Sequence, residues 1–248
     1  MKILLPPSET KREGGTGAPL DLAELALPGL HGPRSAVIDA LIDLSADEAS
    51  AKKVLKLSER QAGDIAHNRM LRTSATMPAV DRYTGVLFDA LDAGSLSSAS
   101  RRWLGTHVWV HSAPFGPVGA LDPIPVYRLA AGTSLPGLSA LRRHWAQATS
   151  AAIAEEEPPF VLDLRSEVYA ALGPIPASVP SAYVRVVTHE GRALNHFNKK
   201  SKGLLVRKLA EQRPRIGSLG SLRNWAGRQG ITLRDTEEPG VLELVVEE

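Results

Sequence analysis

The chain contains no cysteine. That excludes disulfides, a thiolate nucleophile, a Cys-ligated zinc site, an iron–sulfur cluster and any thiol-based redox sensor within this sequence. Long hydrophobic runs are missing too. Nothing approaches the ~18 consecutive apolar residues that a membrane helix needs. The opening Ile3-Leu4-Leu5 run stops at Pro6-Pro7 and is too short for a secretory leader. The expectation is a cytoplasmic protein with no membrane partner. The polar, Gly-rich stretch 8–17 lacks Walker spacing, and its lysine precedes the glycines, which argues against a nucleotide P-loop. Seven histidines supply no His-x-x-x-His pair on a helix; His107 and His111 are four apart but fall in an expected strand, where they line one face. No metal site is expected, and no residue pattern calls for a cofactor.

What is present is ordinary for a soluble globular chain: 43% hydrophobic and 23% charged over 248 residues, enough for a substantial core. Residues 2–5 read as a buried strand. Ser45…Glu48 and Ser58…Gln61 each match a capping box, which predicts two short helices, 46–57 and 59–72, joined by almost no loop. Helices are expected at 83–93, 98–104, 138–153, 166–172, 198–212 and 221–229. Strands are expected at 106–111, 160–164, 231–234 and 241–246, with a hairpin of 182–188 and 192–196 turning at Glu190. The Pro/Gly-punctuated stretch 112–127 reads as irregular. Helices and strands mix without strict alternation. The predicted fold is therefore α+β (mixed α/β): a single domain over 1–248 with a mixed sheet and a helical hairpin insertion at 45–73. The four tryptophans read as core residues.

Charge is segregated near the end of the chain. Residues 199–228 hold nine Lys/Arg against Glu211 alone, whereas 229–248 hold six acids against Arg234. Such an imbalance points to an anionic partner, or to two segments that neutralise each other. On the expected helix from 198, Gly203 falls among Lys199, Lys200 and Arg207, with Lys202 at its edge. A mid-helix glycine costs about 1 kcal/mol against alanine, so either a phosphate or a packed neighbour must lie close to that backbone. The first helical pair is basic as well, with Lys52, Lys53, Lys56 and Arg60 as candidate phosphate contacts.

Five residues carry candidate chemistry. Glu9 and Lys11 lie in a polar loop directly after a strand, where α/β proteins often place functional groups; a capped surface turn explains the same residues. Asp122 and Arg128 end the rigid stretch, and the arginine either clamps a carboxylate or phosphate or pairs with an aspartate to hold the domain together. Glu167 sits at a helix start, near Asp163 at a strand end, as one half of a candidate acid/base pair or as a partner of the helix dipole.

Several segments, in the same order, resemble the YaaA family of bacterial peroxide stress proteins. They are Ile3-Leu-Leu-Pro-Pro7-Ser-Glu-Thr10, Tyr83-Thr-Gly85-Val-Leu-Phe88, Phe115-Gly116…Asp122…Tyr127-Arg128-Leu129, Asp163-Leu-Arg-Ser166-Glu167-Val-Tyr169 and Phe197-Asn-Lys-Lys200-Ser-Lys202-Gly203-Leu204. Glu9 stands where the family has lysine, with Lys11 two places on. The resemblance implies a single α/β fold with a helix–hairpin–helix-like insertion and a basic cleft. It also implies binding of double-stranded or distorted DNA, and protection from peroxide linked to limiting free intracellular iron. Distant members resemble components of deazaguanine DNA modification, which implies the alternative of an enzyme acting on a nucleotide or nucleobase.

Overall fold

Ile3, Leu4 and Leu5 are fully buried in β1 (Lys2–Leu5), the continuous apolar run that a strand covered on both faces requires. The computed structural model of the chain describes residues 1–190 and 195–246, the side chains of 195–197 excepted. After β1 come α1 (His31–Ala46), α2 (Glu48–Val54), a one-turn 3-10 helix (Glu59–Gln61) and α3 (Asp64–Arg69). Then follow β2 (Met77–Pro78), α4 (Ala79–Arg82), α5 (Val86–Leu91), α6 (Ser98–His107), β3 (Val108–Ser112), β4 (Gly116–Gly119) and β5 (Pro123–Ile124). The second half holds α7 (Leu141–Glu155), β6 (Val161–Asp163), α8 (Glu167–Leu172) and β7 (Ser181–Val187). It closes with α9 (Asn195–Gln212), α10 (Leu219–Arg228), β8 (Thr232–Asp235) and β9 (Val241–Val245).

The main sheet has the order β4-β3-β1-β6-β7-β9-β8, and β2 pairs with β5 in a separate ribbon. Its five inner strands are parallel, and the two edge strands run antiparallel to their neighbours. This is the mixed sheet predicted. β1 is central: Ile3 is in register with Val108 of β3 on one side and Leu162 of β6 on the other. The chain therefore leaves β1 in one direction along the sheet and later returns to its other flank. Such a reversal opens a crevice beyond the C-terminal ends of the strands. The segments leaving β1, β3 and β6 all emerge there.

The expected elements around β3, α6, α7, β6, α8, α10, β8 and β9 are present within a few residues. Four differ. Ser45 does not cap a helix; it is buried in the last turn of α1, where its hydroxyl donates to Leu41 O at 2.7 Å. Asp47 caps α2 instead, accepting from Ala49 N at 3.1 Å. The Ser58–Gln61 box does form, but on a single 3-10 turn rather than a long helix. α1 itself has no counterpart among the expected elements; its Gly32 and Pro33 both fall in the first turn, where a missing N–H costs nothing. The stretch 112–127 is not irregular: a hairpin turns β3 into β4, and Gly116 adopts φ +62° at that turn. Of the expected hairpin strand 192–196, residues 192–194 lie outside the described residues, and 195–196 already belong to α9.

Gly203 is resolved by packing. A Cβ there would stand 2.2 Å from the Leu87 carbonyl oxygen and 2.9 Å from Ala90 Cβ, so α9 crosses α5 with backbone against backbone. The position is closed to a phosphate. We expect Gly203→Ala to destabilise the protein by about 1–3 kcal/mol through overpacking, although alanine is the better helix former by about 1 kcal/mol. Urea denaturation measures this; unchanged stability would return the position to ligand binding.

Candidate functional site at the C-terminal edge of the sheet

The loop after β1 is pinned rather than free. Arg12 N donates to Arg82 O at 2.8 Å, Thr84 N to Thr10 O at 3.2 Å, and Lys11 bridges Tyr83 through the main chain. Gly85, at φ +92°, lets the loop approach: a Cβ there would be 3.2 Å from both the Ser8 and Thr10 hydroxyls. Arg82 is fully buried and spends its guanidinium on four carbonyl oxygens, those of Arg12 (2.6 Å), Gly14 (2.8 Å), Ile124 (3.1 Å) and Ala75 (3.3 Å). One side chain thus fixes three separate segments.

Lys11 is the product of that fixation. Its Nζ donates to Ser8 O at 3.1 Å and Glu9 O at 3.3 Å, and lies 4.1 Å from the Tyr127 ring centroid and 5.7 Å from that of Tyr83. Burial pushes its ammonium down to about 7; the charge of Arg128 pushes the same way, and Asp64 and Glu9 oppose it. Beneath it, the buried Tyr83 and Tyr127 hydroxyls share a 2.8 Å hydrogen bond. Burial raises both phenols, so they stay protonated at any physiological pH.

A second cluster forms across β3 and β6. Arg165, 0% exposed, grips Asp163 with two side-chain bonds of 2.9 and 2.7 Å. It also donates to Gly173 O at 2.9 Å and to His111 Nδ1 at 2.8 Å. Because a guanidinium only donates, His111 accepts at Nδ1 and carries its proton on Nε2. Burial, and then the charge of Arg165, hold His111 well below the usual imidazole range. Lys202 completes the cluster: 4% exposed, it reaches Arg165 O at 3.5 Å and lies 5.6 Å from the Tyr183 ring. Burial lowers it to about 8, against the pull of Asp163.

Of the five residues expected to carry chemistry, Lys11, Glu9 and Arg128 meet, and Glu167 and Asp122 lie apart from them. Glu9 is exposed on the Lys11 loop, and its charge reaches both Lys11 and Tyr169. Arg128 stands 3.9 Å from Asp64, its main chain held on both sides by Asn68. Glu167 is exposed in the first turn of α8, on the same edge, where its charge reaches Tyr183. Asp122 does not join them. Its carboxylate accepts from Ala26 N and Gly119 N, both at 2.7 Å, and its charge acts on Lys2 and Arg34 instead. That is a structural role: two buried amides need an acceptor.

The expected cations divide in the same way. Lys53, Lys56 and Arg60 are exposed on the insertion, as are Lys199 and Lys200 on α9. Lys52 is paired with Glu59. Arg207 ties α9 to the end of α5 through Leu91 O and Asp92 O, each at 3.1 Å, and pairs with Glu211 at 2.9 Å. Further along, Arg223 of the basic segment pairs with Asp235 of the acidic one, whereas Arg234 pairs with Glu243 inside the acidic segment. Tyr83, His111 and Arg165 were not singled out from the sequence as site residues. The signal for Arg165 is its place in the family-like segment 163–169, two residues after Asp163 at the end of β6. Among the described residues no group of His, Asp and Glu is arranged to hold a metal ion. No helix there is long and apolar enough to cross a membrane.

A family profile described as peroxide stress protein YaaA matches residues 1–231, which include every residue of this edge. The chain belongs to the YaaA family. Among its relatives is a UPF0246 protein of Streptomyces coelicolor, 44% identical over 214 residues that cover 84% of this chain and 82% of that one. A UPF0246 protein of Corynebacterium efficiens is 41% identical over 243 residues, 96% of each chain. A more distant UPF0246 protein, of Streptococcus pneumoniae, is 27% identical over 235 residues, 92% of each. The resemblance noted in the sequence is thus a family membership, and the Lys11 and Arg165 clusters lie inside the matched region.

Proposed function

We propose that this YaaA-family chain acts on DNA in the cytoplasm during peroxide stress, holding double-stranded or distorted DNA across the C-terminal edge of its sheet. The observation that supports this reading is that two sets of cations, far apart in the chain, are exposed on elements that lead to the Lys11 and Arg165 clusters. Lys53, Lys56 and Arg60 lead into α3, whose Asp64 faces Arg128 and influences Lys11. Lys199 and Lys200 lie within a turn of Lys202, which touches the Arg165 cluster. Backbone neutralisation by these bases is independent of base sequence. Limitation of free intracellular iron, which family likeness implies, would accompany that role; electron paramagnetic resonance of chelatable iron in cells with and without the protein tests it.

The DNA reading has a quantitative test. With five bases engaged and a slope of about −0.9 per phosphate contact, log affinity should fall with log salt at about −4 to −5. Duplex affinity would then drop a few hundred-fold between about 50 and about 200 mM salt. Fluorescence anisotropy with plain and distorted duplexes measures this. A flat salt dependence, or no binding to either duplex, would remove the reading.

A second reading, an enzyme acting on a nucleotide or a deazaguanine-like nucleobase, is favoured by one observation. Lys11 is fixed over an aromatic pair, beside Glu9 and Arg128, at the crevice where α/β folds place ligands. In that reading Lys11 and Glu9 exchange protons with the base while Arg128 meets its phosphate.

A further inference from the structure

Lys11 differs from the other lysines of the chain in how it is held. The bonds and bridges that fix residues 8–12 onto 82–85 place its amine without a choice of loop conformation. Its hydrogen bonds go to two main-chain carbonyls, and among the described residues it makes no ion pair with a carboxylate. The like charges of Arg128 and Arg82 act on it, against those of Asp64 and Glu9. Aromatic rings line one side of it. An amine that is immobilised, largely desolvated and placed beside hydroxyls and a carboxylate is suited to nucleophilic work.

We propose that Lys11 is an imine-forming amine that captures an aldehyde, and that the aldehyde is the C1′ carbonyl of a ring-opened abasic deoxyribose in DNA. The source of the aldehyde rests on the DNA reading above; the amine chemistry does not. The lone pair of the neutral Nζ adds to the carbonyl carbon, forming a C–N bond as the carbonyl oxygen takes a proton. The carbinolamine then loses its hydroxyl as water, aided by a proton from a neighbouring acid, and leaves a protonated imine. No oxidant or reductant is consumed, and hydrolysis reverses the sequence. Glu9, on the same loop, is the group placed to move those protons, and Arg128 offers a guanidinium to the flanking phosphate. Peroxide-derived radicals strip bases from DNA and leave aldehydic sugars, so this substrate class agrees with the stress the family answers. The lowered proton affinity of Lys11 supplies neutral amine near pH 7, whereas an ordinary exposed lysine is almost wholly protonated there.

The test is reductive trapping with the full-length protein. A fluorescent duplex bearing one abasic site is incubated with the protein and sodium cyanoborohydride, which reduces an imine to a stable secondary amine. A covalent complex on a denaturing gel is expected, with peptide mapping placing the adduct on Lys11. Lys11→Ala and Lys11→Arg should each reduce trapping at least tenfold while leaving a native circular dichroism spectrum, and Arg143→Ala, at an exposed position of α7, should retain it. The initial trapping rate should rise through about pH 7. Glycolaldehyde, scored by mass spectrometry, serves as the small-aldehyde arm. Labelling of Lys11 by glycolaldehyde without any DNA adduct would overturn DNA as the source. No adduct on Lys11 from either probe, or adducts spread evenly over surface lysines, would overturn the proposal outright. Salt-dependent binding of an intact duplex, measured in parallel, reports on the DNA reading alone, so the two fail separately.

Discussion

Arg165→Leu is expected to cost about 3–5 kcal/mol of folding stability, the range for removing one partner of a buried ion pair. The variant leaves the buried Asp163 carboxylate without its two guanidinium bonds and withdraws the donors to His111 and Gly173 O. Each orphaned group then bears its own desolvation. The effect should be strongly non-additive. Asp163→Leu alone should be severe, because it leaves a guanidinium buried at 0% exposure, whereas the double variant Asp163→Leu/Arg165→Leu should recover much of the loss. Urea denaturation of the three variants gives the coupling directly. A cost below about 1 kcal/mol for Arg165→Leu would mean that the cluster contributes nothing beyond a surface pair.

The second large effect runs in the opposite direction. Lys202→Met should stabilise the protein by on the order of 3 kcal/mol below pH 8, since a lysine lowered from 10.5 to about 8 carries roughly 1.4 kcal/mol per pKa unit. The sign follows from proton counts. Below about pH 8 both folded and unfolded lysine are charged, and the wild-type protein bears the whole cost of burying that charge. Between about 8 and 10.5 the folded lysine is neutral while the unfolded one still binds a proton, so wild-type stability rises with pH. Above 10.5 the difference is gone. Chemical denaturation at pH 6.5, 9 and 11 should therefore show a gain that shrinks to little. A gain independent of pH would assign the effect to packing instead. A buried charge that weakens the fold, at the edge proposed to hold DNA, is the pattern of a residue retained for function.

Much of the fold was legible in the chain, for local reasons. The apolar run at 2–5, the alternation before Ser112 and the Phe160 segment are strand signals that do not depend on distant partners, and the structure keeps all three. α1 has no counterpart among the expected elements: glycine and proline weaken a helix interior, and only the place of Gly32 and Pro33 in a first turn makes them harmless. Ser45 was misassigned for the complementary reason: its capping pattern is correct locally, but buried α1 continues past it. The hairpin of β3 and β4 hides in a Pro/Gly-rich stretch because edge strands tolerate proline where no ladder N–H is needed.

The site divides along the same line. The loop at Glu9 and Lys11, the arginine at 128 and the family they indicate could be read from residue type and order alone, because motifs and charge are properties of the chain itself. Whether Gly203 opens to a phosphate or closes on Leu87, whether Arg207 is free or bound to Asp92, and that Asp122 serves the Ala26 amide were decided by contacts between segments 96 to 116 residues apart. The same holds for the lowered proton affinities of Lys11 and Lys202. Burial sets them, and burial is a property of neighbours that one-dimensional order does not specify.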